Sequence, residues 1–279
     1  MSGLAPPRTT QQLLVSFPLP HALQLTINRP KARNAVAQDL EDEIGRVMDW
    51  FEEEEDLWVC IITGAGDIFC SGTDLLAWGA RKAGGEVSES QSVLGWTNGF
   101  ASLSMRQSRK PWIAAVNGAA FGGGAEIVLN CDLVVASEDA VFGLPEVRLG
   151  VMAFGGGIPR LSRVAGHQLA SEMLLTGATI SAQDAYSRFH FVNKVVPKDQ
   201  VLPAAFKLAK SIIASSPDSV QSTKHALLCA QRNGSVTEAF TEHAQSAISD
   251  RVFRGSNMKE GLQAFAEKRK PRWTQPAKL

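Results

Sequence analysis

Three continuous apolar segments separated by glycine-rich blocks constrain the fold of this chain most strongly. They span residues 57–62, 112–116 and 133–136. An apolar run of this length, without polar alternation, is typical of a strand that is buried on both faces of a sheet. The second segment is followed by a glycine turn and then by a helical period over residues 123–129. This plan predicts an α/β core of repeated strand–strand–helix units.

Apolar alternation and helical periodicity extend this prediction to both ends of the chain. Residues 13–17 and 23–27 are expected to form paired strands, and residues 36–54 a helix. Beyond residue 160 the pattern turns helical, with one late strand at 193–196. The remaining predicted elements are a short strand at 140–142, a mobile loop at 79–90, and helices at about 92–107, 166–175, 182–187, 199–214, 217–231, 235–249 and 256–267.

The order of these elements indicates one α/β core followed by a helical part. We expect the core and its site to span residues 12–200, and a C-terminal helical subdomain to span residues 201–273. Residues 274–279, which include Pro276 and polar neighbours, are expected to form a flexible tail.

Charge and cysteine content argue against several classes of function. The 279 residues include 28 Lys and Arg and 28 Asp and Glu, so the chain lacks the basic excess typical of nucleic-acid binding. None of the four cysteines stands in a Cys-x-x-Cys pair or at ligand spacing from a histidine, which argues against a disulfide or a zinc site. No segment of the sequence is long and apolar enough to span a membrane. We therefore expect no nucleic acid, membrane or metal among the partners.

A triple-glycine block at residues 122–124 follows a predicted strand and opens a predicted helix. Glycine lets the backbone approach a ligand closely, and the first amides of a helix are unpaired donors at the positive end of its dipole. Such a site binds an anion, or an oxygen that becomes anionic during a reaction. Glu126 lies in the first turn of this helix, where it either takes part in the chemistry or only complements the dipole.

Glu146 is a second carboxyl residue in a glycine-rich setting. It stands twenty residues after Glu126 and precedes a glycine cluster at residues 155–157. Taken alone, it can also be explained as a turn carboxylate that is paired with Arg148 or Arg160.

A further glycine block, with the sequence FCSGTD, occupies residues 69–74. Taken alone, it is explained as a strand-to-helix turn in which Asp74 or Thr73 is the N-cap. Together, the blocks offer backbone oxyanion donors and the carboxyl groups of Glu126 and Glu146. This is the set needed to polarise a carbonyl group and to move protons at the carbons beside it.

The combined segments resemble the crotonase (enoyl-CoA hydratase/isomerase) superfamily over roughly residues 12–273. The resemblance implies a crotonase-like spiral core of ββα turns and a C-terminal α-helical subdomain used in trimer contacts. It also implies assembly as a homotrimer or a homohexamer. The matching segments are NRPKARNA at 28–35, FCSGTDL at 69–75, WIAAVNGAAFGGGAEIVLNCDLVVAS at 112–137, FGLPEVRLG at 142–150, GGGIPRL at 155–161 and EKRKPRW at 267–273.

The same resemblance implies roles for individual residues. The backbone N–H groups of Ser71 and Gly123 match an oxyanion hole that holds the thioester oxygen of an acyl-CoA. Glu126 and Glu146 match the two catalytic glutamates of hydratases, and the presence of both favours water addition or elimination over double-bond migration. Coenzyme A enters as part of the substrate thioester, so no separate cofactor is expected. The residues expected to bind substrate are Ala32, Arg33, Ala35, Thr73, Asp74, Leu75 and Phe154.

In the hydration of a 2-enoyl thioester, water adds at Cβ, a proton adds at Cα, and enolate character develops on the thioester oxygen. One glutamate acts as a base toward the water and the other delivers the Cα proton. We assign Glu126 to the water and Glu146 to the Cα proton, with the reverse assignment left open. The alternatives are an enoyl-CoA isomerase of the same fold and, from another class, a non-catalytic RNA-binding or scaffold relative.

One departure from the family pattern concerns the acyl group. Residues 153–157 read Ala-Phe-Gly-Gly-Gly where many hydratases have Pro-Gly-Ala-Gly-Gly. Phe154 is expected to reshape the acyl pocket, or alternatively to anchor the loop in the core. The first reading favours a specialised acyl-CoA, of the kind used in secondary metabolism, over a broad range of straight-chain substrates.

The chain ends in Ala277, Lys278 and Leu279, a conservative variant of the S-K-L peroxisomal address. A peroxisomal import receptor reads this address on a free tail. We therefore expect a peroxisomal protein if the source is a eukaryote, and a cytoplasmic one otherwise.

Overall fold

Two β-sheets form the centre of the molecule in the computed structural model, which describes residues 3–83 and 97–278. In these residues the strands are β1 (Leu13–Leu19), β2 (Ala22–Ile27), β3 (Val59–Gly64), β4 (Ile68–Cys70), β5 (Trp112–Val116), β6 (Ala119–Phe121), β7 (Leu133–Ser137), β8 (Val141–Gly143), β9 (Thr179–Ser181) and β10 (Lys194–Val196). The larger sheet has the order β1-β2-β3-β5-β7-β10 and the smaller one β4-β6-β8-β9. The pairs β1/β2 and β8/β9 are antiparallel, and the other neighbours are parallel.

From β3 to β8, successive strands alternate between the two sheets. Strands β3, β5 and β7 lie in the larger sheet, and the strand after each of them, β4, β6 or β8, lies in the smaller one. Each turn of the chain therefore adds one strand to each sheet, which confirms the predicted ββα spiral. All residues of β3 and β5 are buried, in agreement with the continuous apolar runs that predicted them.

Helices surround the two sheets. Within the described residues they are α1 (Gln38–Glu53), α2 (Leu75–Ala83), α3 (Gly123–Asn130), α4 (Gly157–Ala165), α5 (His167–Thr176), α6 (Ala182–Ser187), α7 (Val201–Ile213), α8 (Pro217–Arg232), α9 (Val236–Ala244), α10 (Ala247–Arg254) and α11 (Ser256–Ala266). Short 3-10 turns lie at Pro30–Ala32, Phe100–Ser102, Glu146–Leu149 and Lys198–Gln200. A search of the described residues found no helix with the length and apolar character needed to cross a membrane.

Helix α7 covers the outer face of the larger sheet. Its buried residues Val201, Ala205 and Ala209 pack with Val59 and Ile61 of β3. The first helix of the predicted helical subdomain therefore packs on the sheet of the core. The helices α8, α9, α10 and α11 make contacts among themselves.

The predicted flexible tail is docked on these helices. The Thr274 N–H donates to Asn257 Oδ1 at 2.9 Å, and the Ala277 N–H donates to Asp218 Oδ1 at 2.9 Å. Asp218 is buried and also forms an ion pair with Arg251 at 3.2 Å. The prediction of an unpacked tail is therefore wrong as far as Ala277, because two backbone N–H groups find partners there.

Two predictions around the middle of the chain are also wrong where the structure describes it. Residues 97–107 form no α-helix, because Gly99, Ala101 and Ser102 have positive φ angles and leave a single 3-10 turn. The part of this predicted helix at residues 92–96 lies outside the described residues. Residues 79–83 of the predicted mobile loop belong to α2, and the rest of that loop lies outside the described residues.

The predicted helix at 235–249 is two helices. The break falls at Ser246, whose side chain accepts from the Ser249 N–H and caps α10. The three-residue strands β4, β6 and β9 and the helix α4 were not predicted. Segments of three residues are too short to show a periodic pattern.

Candidate active site

A cavity of about 260 Å³ lies beyond the ends of three strands of the smaller sheet. Strands β4, β6 and β8 are parallel, so their carboxyl ends meet at one edge of the sheet. The segments that leave this edge line the cavity, together with the beginning of α1 and the loop before α4. The three glycine-rich blocks of the sequence are thereby brought to one place.

The first feature of the cavity is a backbone donor at the start of α3. Gly122 is the N-cap, with a φ of 53° that suits glycine, and Gly123 is the first helical residue. The Phe100 ring covers Gly123 so closely that a Cβ on Gly123 would lie 2.3 Å from it. The Gly123 N–H has no carbonyl acceptor in the preceding turn of α3, as expected for the first residue of a helix.

The second predicted donor requires a correction. The Ser71 N–H donates to the Arg33 carbonyl at 3.1 Å and is therefore already engaged. Residue Thr73 forms an isolated parallel bridge with Val36, in which the Val36 N–H donates to the Gly72 carbonyl. Such a bridge directs the N–H of Thr73 itself away from Val36. This N–H has no partner among the described residues.

Gly72 brings the Thr73 and Gly123 amides close together. Its φ is 91°, and a Cβ on it would lie 3.2 Å from the Gly123 nitrogen and 3.0 Å from the Phe121 carbonyl oxygen. Only glycine fits this close approach without a shift of the backbone. In the sequence, Gly72 of FCSGTD was the signal that could have identified the N–H of the next residue, Thr73, as the donor.

Glu126 is held in the first turn of α3 with only 3% of its surface exposed. Its Oε1 accepts from the Gly157 N–H at 2.9 Å. Burial raises the pKa of the Glu126 carboxyl to about 7, the Gly157 hydrogen bond lowers it, and the charge of Glu146 raises it further. A carboxyl group with this pKa is able to give or take a proton near neutral pH.

Glu146 starts the 3-10 turn after β8 and also lines the cavity. Burial raises the pKa of its carboxyl group above the ordinary value. Its Oε2 is shielded from solvent and has no hydrogen-bond partner among the described residues. Arg148 donates to the Thr176 carbonyl at 3.2 Å, and Arg160 donates to the Met105 sulfur at 3.6 Å. Within the described residues, neither arginine pairs with Glu146, so the alternative of a paired turn carboxylate is not seen.

The predicted substrate-binding residues divide into two groups. Thr73, Asp74, Leu75 and Phe154 line the cavity. Asp74 also forms an ion pair with Arg29 at 3.1 Å and accepts from the Ala77 N–H at 3.3 Å, so it caps α2. The lining does not include Ala32, Arg33 or Ala35, of which Ala35 is buried and Arg33 is exposed.

Phe154 is 51% exposed and belongs to an apolar part of the cavity wall. Its exposure contradicts the alternative in which this ring anchors the loop in the core. Several other lining residues were not predicted, because their side chains carry no distinctive chemical signal in the sequence. These are Trp78, Phe100, Leu149, Val151 and Met152.

The arrangement suits proton transfer beside an activated carbonyl group. Two carboxyl groups with raised pKa values and two neighbouring amide donors face one partly apolar cavity. Within residues 3–83 and 97–278, no group of three or more His, Cys, Asp or Glu side chains is placed to hold a metal ion.

Comparison with known proteins gives consistent matches over nearly the whole chain. The model of the family described as "Enoyl-CoA hydratase/isomerase" matches residues 21–276. A mevalonyl-coenzyme A hydratase, sidH, from Aspergillus fumigatus is 46% identical over 97% of each chain. A mevalonyl-coenzyme A hydratase from Beauveria bassiana is 41% identical over 93% of each chain. The crystal structure of the enoyl-CoA hydratase EchA1 from Mycobacterium marinum superposes with a TM-score of 0.83 at 38% identity, covering 95% of this chain and 99% of that one.

Proposed function

The chain belongs to the enoyl-CoA hydratase/isomerase family and is a hydratase-type lyase, and from this premise we propose that its substrate is a short, branched acyl-CoA of the mevalonyl type. A mevalonyl group carries both a hydroxyl group and a methyl group on Cβ. Elimination removes water across Cα and Cβ, and hydration is the reverse. The observation that carries the hydration chemistry is the pair of carboxyl groups on one small cavity, the buried Glu126 and the partly buried Glu146.

The cavity supports a compact acyl group. Its volume of about 260 Å³ is modest, and the half-exposed ring of Phe154 forms part of its wall. An aromatic ring at this position occupies space that a long straight acyl chain needs. The two mevalonyl-coenzyme A hydratases among the similar proteins agree with a branched substrate.

The Thr73 and Gly123 N–H groups form the proposed oxyanion hole. They lie side by side because Gly72 approaches the loop before α3. In either direction of the reaction, negative charge develops on the thioester oxygen, and two fixed donors stabilise it. The loss of one such donor typically costs about 2.7–4 kcal/mol of transition-state stabilisation.

The two glutamates divide the proton transfers. Glu126, with a pKa of about 7, exchanges a proton with the water or hydroxyl group at Cβ. Glu146, whose Oε2 has no partner among the described residues, exchanges the proton at Cα. Coenzyme A enters as part of the substrate, and the proposal requires no other cofactor.

Substitution of each glutamate tests the proposal. We expect Glu126→Gln and Glu146→Gln to lower turnover of mevalonyl-CoA, or of its dehydrated 2-enoyl form, by about 10²–10⁴-fold. Binding of the acyl-CoA should change little. The exposed Glu138 supplies a matched control, Glu138→Gln, which should keep normal turnover. Near-normal turnover in either active-site variant contradicts the two-glutamate mechanism.

A panel of thioesters tests the substrate. We expect a 3-methyl-branched 2-enoyl-CoA to be hydrated faster than crotonyl-CoA or a long straight-chain 2-enoyl-CoA. A 3-enoyl-CoA serves as the test for isomerisation. Faster conversion of the straight-chain substrates contradicts the proposed acyl group, and conversion of the 3-enoyl-CoA alone supports the isomerase alternative.

The C-terminal tripeptide supports a peroxisomal location. Ala277, Lys278 and Leu279 resemble the S-K-L address, although the tail is docked as far as Ala277. The import receptor therefore has to displace this contact. A fluorescent fusion with a free native C-terminus should be peroxisomal in a eukaryotic cell and should become diffuse when Leu279 is removed. A diffuse signal from the intact protein contradicts the assignment.

The C-terminal helices support assembly into trimers or hexamers. These helices expose large apolar side chains, which would be covered if they formed a subunit interface. Light scattering should give three or six times the chain mass of 30.0 kDa. A monomeric mass contradicts this assembly. The exposed side chains are Leu227, Val236, Phe240, Phe253, Leu262 and Phe265.

A further inference from the structure

Ser104 holds a buried hydroxyl group that the mechanism above does not use. The residue is 0% exposed, and its Oγ has no hydrogen-bond partner among the described residues. Buried hydroxyl groups in proteins are nearly always paired, so an unpaired one calls for an explanation. The neighbours of this Oγ supply one.

The Ser104 hydroxyl lies beside the carboxyl group of Glu126. A Cβ placed on Gly155 would be 2.6 Å from Ser104 Oγ and 2.4 Å from Glu126 Oε2, so both oxygens lie next to the same point. Glu126 Oε1 is already bonded to the Gly157 N–H. Ser104 is therefore on the side of the other oxygen. Glycine at position 155 leaves the space between the two groups open.

The segment that carries Ser104 is fastened to the helix that carries Glu126. Asn130, one turn after Glu126 on α3, donates from Nδ2 to the Leu103 carbonyl at 2.7 Å and to the Arg106 carbonyl at 2.9 Å. The Ser104 N–H donates to the Phe100 carbonyl at 3.0 Å. These bonds fix the Ser104 backbone relative to α3, so its hydroxyl group keeps a constant place beside the carboxyl group.

We propose that Ser104 is a positioning residue for Glu126. Its hydroxyl group, which is unpaired in the described structure, lies close enough to Oε2 that a small side-chain rotation lets it donate a hydrogen bond to the ionised carboxylate. The proposal rests on the acid–base role of Glu126 in the proposed function. Oε1 is bonded to the Gly157 N–H. Once Oε2 of the ionised group accepts from Ser104, the carboxyl group is held from both sides and keeps one orientation toward the substrate. Small changes in such an orientation have large effects on proton transfer.

A hydrogen bond from Ser104 favours the charged form of Glu126. It acts in the same direction as the backbone amides of Gly157 and Gly155, which oppose the effect of burial on the pKa of Glu126. Two charged groups also face this carboxyl group: Glu146 from the turn after β8, which raises the pKa, and Arg160 from α4, which lowers it. Removal of the hydroxyl group leaves both in place. The pKa of Glu126 should therefore rise in Ser104→Ala.

The pH profile of kcat/KM tests the proposal. In Ser104→Ala, the part of the kcat/KM profile that reports the ionisation of Glu126 should move to higher pH by about one unit. Activity should then fall about tenfold near pH 6, where less of Glu126 is ionised, and recover relative to the native enzyme at pH 9. Ser102→Ala is the matched control, because Ser102 lies on the same turn and its hydroxyl accepts from Arg106. The control should keep the native profile.

An infrared titration of the Glu126 carboxyl, identified by its loss in Glu126→Gln, measures the same shift without turnover. This readout keeps the inference separate from the proposed function, which is tested by the turnover of Glu126→Gln and Glu146→Gln and by the thioester panel. An equal loss of activity at every pH, or an unmoved carboxyl titration, overturns the positioning role. Ser104→Cys preserves the size with a weaker donor and should give a smaller shift. If neither variant folds, Ser104 is a packing residue and the proposal is wrong.

Discussion

At the scale of single residues, the carboxyl groups of Glu126 and Glu146 have different surroundings. Glu126 is enclosed and has one oxygen fixed by a backbone amide, whereas Glu146 is only partly buried and leaves Oε2 unpaired in the described structure. Different surroundings give two carboxyl groups different proton affinities, which allows one to act as acid while the other acts as base.

Gly72 is the residue whose change should most directly disturb the oxyanion hole. We expect Gly72→Ala to lower kcat by about 10²-fold or more with a smaller effect on KM, because the new Cβ meets the Phe121 carbonyl and the Gly123 amide. Steady-state kinetics on the branched thioester measures both parameters. Gly79 lies on α2, and apart from its chain neighbours and the helix backbone no atom of the described residues lies within 4 Å of a Cβ built on it, so Gly79→Ala is the control. A normal kcat in Gly72→Ala contradicts the placement of the oxyanion hole beside Gly72.

Phe154 should determine which acyl groups are accepted. We expect Phe154→Ala to raise kcat/KM for longer acyl groups relative to the branched one, by about 1–3 kcal/mol per methylene-sized change. The thermal stability should change little, because the ring is half exposed and is not part of the core. Val147→Ala, an exposed apolar change outside the cavity lining, is the control. An unchanged order of substrates contradicts a role in specificity.

At the scale of elements, Asp218 links several C-terminal segments. It lies in the first turn of α8, pairs with Arg251 of α10, and accepts from Asn257 of α11 and from the Ala277 N–H of the tail. A buried carboxylate with this many partners connects elements that share little apolar surface. Its contribution is mainly to orientation, since a buried ion pair is weak support for stability in itself.

Asp218→Ala should therefore destabilise the C-terminal helices strongly. It leaves the buried guanidinium of Arg251 without its partner, and we expect a loss of about 3–5 kcal/mol in the free energy of unfolding. The control is Asp250→Ala, which removes the exposed ion pair with Arg254 and should cost under about 1 kcal/mol. Chemical denaturation measures both. Equal losses in the two variants contradict the role of Asp218.

At the scale of the whole molecule, the active site lowers stability. Burial raises the pKa of Glu126 from an ordinary value of 4.5 to about 7 in the folded protein. A carboxyl group with a raised pKa binds more protons in the folded than in the unfolded state. Its contribution to stability is therefore lost as pH rises from about 4.5 to about 7.

Glu126→Gln should consequently be more stable than the native protein above this window. The gain should be small at pH 5 and reach up to about 3 kcal/mol at pH 8. Denaturation midpoints at both pH values measure it, with Glu138→Gln as an exposed control. A difference that does not depend on pH contradicts the buried, proton-binding state of Glu126.

The sequence by itself determined the elements that show a local pattern of apolar residues. Continuous apolar runs identified β3, β5 and β7, and helical periodicity identified α1, α3 and most later helices. The glycine-rich blocks and their resemblance to a known superfamily identified Glu126 and Glu146 as candidates. These features are readable because periodicity and glycine content act within a few residues of each other.

Only the tertiary structure decided which groups are free to act. The Ser71 amide is engaged because the Arg33 carbonyl, distant in sequence, reaches it, and this leaves Thr73 as the donor. The packing of α7 on the sheet and the docking of the tail depend on partners from distant segments in the same way. A single sequence does not show how such partners meet, because each backbone N–H or hydroxyl group can pair with many acceptors, and the fold selects one.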